Sequence, residues 1–170
     1  MALGRDYAGQ DCSIARTLEV IGERWTALII RDCLYGVTRF SDLQAHLDIS
    51  KAVLTERLDG LVAHGVLEKV TDGGHPEYLL TQAGRELWPL INAMAQWGAR
   101  NASGRGRPAR SYRHQTCGAK IDMHGACPDC ATVPDVSEIV LTPDRRPRVP
   151  RTDLVSRRLR EPHRLLDPIR

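Results

Sequence analysis

Apolar residues along the first hundred positions recur at helical spacing and are cut into short units by glycines and small polar residues. Ile14, Leu18 and Ile21 fall at i, i+4 and i+7, predicting a helix that Asp11 or Ser13 caps and Gly22 ends. Trp25, Leu28, Ile29 and Cys33 share one face of a second helix that ends at Gly36. Residues 37–40 then predict a short strand. Ser41 is placed to cap a third helix with Leu43 and Leu47 inward. A tight turn at residues 48–50 follows, and Ser50 caps a fourth helix whose Leu54, Leu58, Leu61 and Val62 form an inner stripe ending at Gly65.

The period then changes. Residues 66–71 and 77–81 carry β-branched and aromatic side chains on either side of Asp72-Gly73-Gly74-His75-Pro76, a β-hairpin signal. Thr81 caps a last helix with Leu87, Leu90, Ile91 and Met94 inward, and Pro89 either kinks it or marks a new start. The order is helix, helix, strand, helix, turn, helix, hairpin. It predicts a mainly α fold with a small β-hairpin wing, a winged helix-turn-helix.

In that fold the third helix braces the fourth, whose outer face is free to enter the major groove of double-stranded DNA. Ser50, Lys51, Ala52 and Thr55 occupy that face, with Glu56 beside them. Arg39 and Arg57 are candidate phosphate contacts, and the hairpin tip with Gly74 and His75 would reach toward the minor groove. The competing structural role is a winged helix used for protein contacts alone.

Charge complicates this picture. From Cys12 to Arg100 nine Lys/Arg stand against eleven Asp/Glu, a net of −2, although the whole chain carries +3. The positive charge lies later: four arginines in residues 101–113, and nine arginines against four acids in residues 143–170. The expected organisation is a flexible arm (1–11), the winged helix (12–100), a basic linker (101–113), a cysteine-bearing module (114–142) and an Arg/Pro-rich tail (143–170). That tail is expected to be largely disordered, apart from a short helix around residues 154–159. Its two readings are a solvated end and a non-specific DNA arm.

Five cysteines, an odd number, and no signal-like start argue against a disulfide framework. No apolar run approaches the ~18 residues of a membrane span, and the expected location is cytoplasmic. Cys117, Cys127 and Cys130 crowd into fourteen residues. His114-x2-Cys117, a nine-residue spacer and Cys127-x2-Cys130 give two short pairs, each able to aim two donors at one tetrahedral ion. Thiolate and imidazole favour structural Zn2+. His124 is the alternative fourth ligand, and a metal-free, redox-active C-x-x-C is the competing use of the pair. Cys33, in an apolar stripe, is expected to be core.

Cys12, Gly22-x-x-Trp25, Arg39-Phe40-Ser41, Thr55-x-Arg57-Leu58 and Leu80-Thr81 with Gly84 together resemble the HxlR family of bacterial transcription factors, over residues 12–98. The resemblance implies a homodimer on a palindromic operator, with the first and last helices as its interface. Trp88 and Trp97 support that interface independently, because they add apolar surface to an already full stripe. Two recognition helices would then sit ~34 Å apart, one DNA turn. In some members a cysteine matching Cys12 senses oxidants or electrophiles; its plainer role is a small helix-start residue. The cysteine module lies outside the core pattern.

The expected function is therefore a dimeric regulator, acting mostly as a repressor and answering to a small-molecule effector or thiol oxidation. A thiol redox protein using Cys127 and Cys130 would need a thioredoxin-like context that the sequence lacks. A zinc-ribbon scaffold for protein or RNA is the third reading. No residue set supports hydrolytic catalysis, so an enzyme is not expected.

Overall fold

The computed structural model describes residues 7, 9–72, 74–103, 109–144 and 151–170. Four helices come first: α1 (Ser13–Ile21), α2 (Thr26–Leu34), α3 (Phe40–Leu47) and α4 (Lys51–Ala63). Strands β1 (Leu67–Val70) and β2 (Glu77–Leu80) pair antiparallel with Leu67 opposite Leu80 and Val70 opposite Glu77, forming the wing. The strand expected at residues 37–40 is reduced to one bridge, Arg39 opposite Glu77, with the Tyr78 N–H bonded to the Thr38 carbonyl. Helix α3 begins one residue before Ser41, with Arg39 as its N-cap.

Two short-range signals act as expected. The Ser50 hydroxyl accepts from the Val53 N–H at the start of α4, and the Thr81 hydroxyl from the Gly84 N–H at the start of α5 (Gln82–Arg85). Pro89 marks a new helix, α6 (Trp88–Asn101), because its missing N–H costs nothing in a first turn.

The inward face of α6 differs from expectation. Trp88, Ile91, Asn92 and Ala99 are buried, whereas Leu90, Met94 and Trp97 are exposed. The reason is a neighbour that local periodicity does not reveal. Strand β3 (Arg110–His114) lays Tyr112 against Trp88, and the Asn92 amide donates to the Asp122 carbonyl. Similarly, Ile14 is 70 % exposed on α1 and Leu18 42 %, so most of that predicted inner stripe faces outward.

The C-terminal half forms a three-stranded antiparallel sheet, β3-β4-β5, with β4 (Ile139–Pro143) central and β5 (His163–Arg164) at the edge. Strand β3 takes Arg110 to Arg113 from the segment expected to be linker. The largest correction concerns the tail. Residues 145–150 lie outside the described residues, but 151–170 are folded rather than disordered. Asp153 caps α7 (Leu154–Arg158) through the Ser156 N–H, and Val155, Leu159, Leu165 and Ile169 are buried. Burial at about 1.5–3 kcal/mol per side chain is the physical reason that an Arg/Pro-rich composition still orders.

The tail is a strap between the two halves. It adds β5 to β4, donates the Leu166 and Ile169 N–H groups to the Leu34 and Gly36 carbonyls, and packs α7 on α3. The approach is close: Gly36 has φ +84°, and a Cβ there would lie 1.8 Å from the Asp167 carbonyl oxygen. One hydrophobic core therefore runs from Ile21 through Trp88 and Tyr112 to Ile169. At the N-terminus, the Tyr7 N–H is held by the Glu19 carboxylate of α1, while residues 1–6 and 8 of the expected arm lie outside the described residues.

Candidate nucleic-acid interface and metal centre

Helix α4 buries Leu54, Leu58 and Leu61 completely and leaves Lys51, Ala52, Thr55 and Glu56 exposed. Helices α2 and α3, the second of which precedes α4 in the helix-turn-helix, are joined by a buried polar lock. The Asp32 carboxylate, fully buried, accepts from His46 Nδ1 of α3 at 2.6 Å and from two Arg31 nitrogens at 2.9 and 2.7 Å. Sequence reasoning missed this lock, although a carboxylate between Ile30 and Cys33 in an apolar helix was its signal. A buried charge needs partners of this kind to be tolerated.

The other candidate DNA contacts are less free. Arg57 lies between two acids, with Glu23 at 3.2 Å and Glu56 at 3.3 Å. Arg39 pairs with Glu77 at 3.6 Å, and Glu77 also meets the terminal Arg170 at 3.4 Å. At the wing tip Gly74 and His75 are exposed, while Gly73 lies outside the described residues.

In the second half, His114 ends β3 and the chain reverses at once. Gly118, at φ +76°, donates its N–H to the His114 carbonyl, a turn that brings Cys117 back over the imidazole. A second reversal joins Cys127 N–H to the Thr132 carbonyl, with Ala131 at φ +53°. The donor atoms of His114, Cys117, Cys127 and Cys130 consequently all lie within 4.8 Å of one another. Cys117 Sγ is 3.5 Å from His114 Nδ1 and 3.4 Å from Cys127 Sγ. A disulfide would need ~2.05 Å, whereas thiolates sharing a tetrahedral ion with ~2.3 Å bonds stand ~3.8 Å apart.

His124 does not join this group; it sits in the intervening loop, where its N–H bonds the Asp122 carboxylate. Backbone N–H groups, Ala126 first and against a burial penalty, hold Asp122 below the usual carboxylate range and shape the loop. Burial raises the Cys127 thiol, but the Cys130 N–H and hydrogen bonds from Cys117 and His114 outweigh it and bring it down to about 7. Hydrogen bonding with Cys117 and Cys127 instead pushes Cys130 up to about 12. Such a split is expected where several thiols compete for few protons.

The remaining cysteines divide as their surroundings dictate. Cys33 is buried, and desolvation pushes its thiol far above the usual range. Cys12 is exposed at the N-cap of α1, with no side-chain capping bond. Among the described residues, no helix is long and apolar enough to cross a membrane.

Comparison with known proteins bears on both halves. Residues 20–105 match the family model described as HxlR-like helix-turn-helix. The chain is 37 % identical over 138 residues to the uncharacterised HTH-type transcriptional regulator Rv3095 of Mycobacterium tuberculosis, covering 79 % of this chain and 86 % of that protein. So long a match cannot fit within residues 1–105, and it extends into the cysteine module. Among solved structures, PA1607, a candidate transcription factor, superimposes with TM-score 0.61 and 37 % identity over 66 % of this chain and 81 % of that one. The redox regulator HypR in its oxidised form gives TM-score 0.50 and 30 % identity over 54 % of this chain and 99 % of that one.

Proposed function

From the premise that this chain belongs to the HxlR-like helix-turn-helix family, and so is a transcriptional regulator rather than an enzyme, we propose that it is a homodimeric repressor binding a palindromic operator in double-stranded DNA. The carrying observation is helix α4, locked inward by its leucines while Lys51, Ala52 and Thr55 remain exposed beyond a Ser50 cap. Backbone N–H groups at that helix start suit a phosphate, and the side chains above them suit base edges. Arg39, Arg57, Gly74 and His75 would flank this contact. Residues 12–100 would carry DNA binding and dimerisation, with the module after β3 as a support.

That support is proposed to hold one structural Zn2+ on His114, Cys117, Cys127 and Cys130. The set offers three sulfurs and one imidazole and leaves no open position, the chemistry of a closed zinc site. Zinc would add folding energy to a module whose buried apolar side chains, Ile121, Val136, Ile139 and Leu141, belong to the shared core.

The test is binding to the DNA upstream of its own coding region across a salt titration. Tight, salt-dependent binding that is lost in Lys51→Ala/Arg57→Ala is expected. No binding at moderate salt would overturn the reading.

Release from DNA would answer to a small-molecule effector or to thiol oxidation. One observation favours the thiol route: Cys12 is exposed at the start of α1, the helix that also presents Ile14 and Leu18. An oxidant should then weaken operator binding in the wild type and leave Cys12→Ser unaffected; an equal response in both would remove Cys12 from the mechanism.

A further inference from the structure

The winged helix carries a net negative charge, yet phosphate contacts normally supply much of a DNA-binding protein's affinity. The chain's excess positive charge is elsewhere, and the structure shows where part of it is held. Helix α7 packs directly on α3, the first helix of the helix-turn-helix pair. Arg151 fixes this contact, its Nη2 donating to the Ala45 carbonyl of α3 at 3.0 Å, and Arg160 Nη2 in turn donates to the Arg151 carbonyl at 2.9 Å. Ala45 is five residues before Ser50, so at ~3.8 Å per residue the anchor stands no more than ~19 Å from the start of α4.

The side chains divide cleanly. Val155 and Leu159 are buried, whereas Arg157, Arg158 and Arg160 are exposed. Of the acids in residues 151–170, Asp153 caps α7 and meets Arg151, and Asp167 pairs with Arg164, which leaves the exposed Glu161 against the three arginines. A solvated end would need none of this anchoring. Here apolar burial, a helix cap and a long-range hydrogen bond hold α7, with its exposed arginines, against the first helix of the DNA-reading pair.

We propose that α7 and the turn after it form a second, sequence-independent contact with the DNA backbone, in which Arg157, Arg158 and Arg160 meet phosphates flanking the groove entered by α4. The assignment rests on the DNA-binding reading above and adds a docked arm to it. Guanidinium groups suit phosphate oxygens because their fork of N–H donors matches two acceptors at once. The contact would read no bases, so it supplies affinity and orientation rather than sequence preference.

The test uses the full chain and two labelled duplexes, one from upstream of its own coding region and one of random sequence and equal length. Arg157→Ala/Arg158→Ala/Arg160→Ala should lower the slope of log affinity against log salt by about 0.9 for each phosphate that is no longer neutralised, and should weaken binding about tenfold or more at 0.1 M salt, on both duplexes. Replacing the same three residues with lysine should restore most of the slope. The proposal is overturned if the alanine variant matches wild type on both duplexes. It is equally overturned if the lysine variant is as weak as the alanine one, since the weakening would then come from packing and not charge. Wild-type protein that binds neither duplex would overturn the DNA-binding reading, and this second contact with it.

Discussion

The indole of Trp88 meets the ring of Tyr112 edge to face, with centroids 4.5 Å apart and planes at 81°. This contact joins α6 of the winged helix to β3, the strand that leads into the cysteine module. It continues inward, because the Tyr112 hydroxyl bonds that of Tyr35 at 2.9 Å. Burial and the Tyr35 hydroxyl push the Tyr112 phenol well above its usual range, so it stays neutral in this seam. Trp88→Ala should therefore cost about 3–5 kcal/mol, measured by urea unfolding. A cost below about 1 kcal/mol would mean that the two halves do not depend on each other through this contact.

Metal removal should act through the same seam. Chelation, or Cys127→Ser with Cys130→Ser, is expected to abolish one bound zinc per chain by elemental analysis and to lower the thermal midpoint. Because β3 carries both His114 and Tyr112, the emission of buried Trp88 should change in step with metal loss. Native protein containing no metal would sink the zinc assignment.

Asp153 makes the strap sensitive to acid. Burial raises its pKa, but the Ser156 N–H and hydroxyl, with the His46 and Arg151 charges, more than reverse this and leave it below the usual carboxylate range. A depressed folded value means that the stabilisation is fully present at neutral pH and is lost as pH falls through that value. Asp153→Ala should cost about 0.5–2 kcal/mol at pH 7, as for other helix N-caps, and the gap from wild type should close in acid. Unfolding curves at pH 7 and pH 3 check this, and a gap that widened in acid would contradict it.

The two basic residues of α4 should separate into different classes. Lys51 is exposed, so Lys51→Ala should weaken operator binding while leaving unfolding within about 0.5 kcal/mol of wild type. Arg57 is only partly exposed and pairs with Glu23 and Glu56, so Arg57→Ala should lower stability as well as binding. Matched binding and denaturation assays would show the difference; identical stability in both variants would make Arg57 a pure surface contact.

The helix-turn-helix was legible because its signals are local. Ser50, the leucine stripe of α4 and the glycine-bearing hairpin each act within a few residues. The two pairs His114/Cys117 and Cys127/Cys130 were legible for the same reason, although spacing alone left His124 open. What stayed hidden depends on distant neighbours. Nothing near Trp88 reveals that Tyr112 will cover it, and nothing near Leu159 reveals that α3 will receive α7. Arg-rich composition outweighed four well-separated apolar residues in the tail, yet those residues decide its fate once a surface exists for them. Asp32 was readable in principle, as a charge in an apolar helix, but its partner His46 lies fourteen residues away.

The outward apolar surface supplies the final prediction. Ile14 and Leu18 on α1, and Leu90, Met94 and Trp97 on α6, are exposed, Trp97 by 60 %. Single exposed apolar residues are ordinary; these five lie on the two helices that the family resemblance assigns to the dimer interface. A second copy of the chain would cover them, in line with the proposed dimer. Leu18→Glu with Trp97→Glu should then give a monomer by sedimentation without unfolding the chain, since neither side chain belongs to the core. Without the second half-site, operator binding should weaken by about 10²–10⁴-fold. If the variant remains dimeric, these helices are not the interface; if wild type is itself a monomer at micromolar concentration, the palindromic mode of binding falls with it.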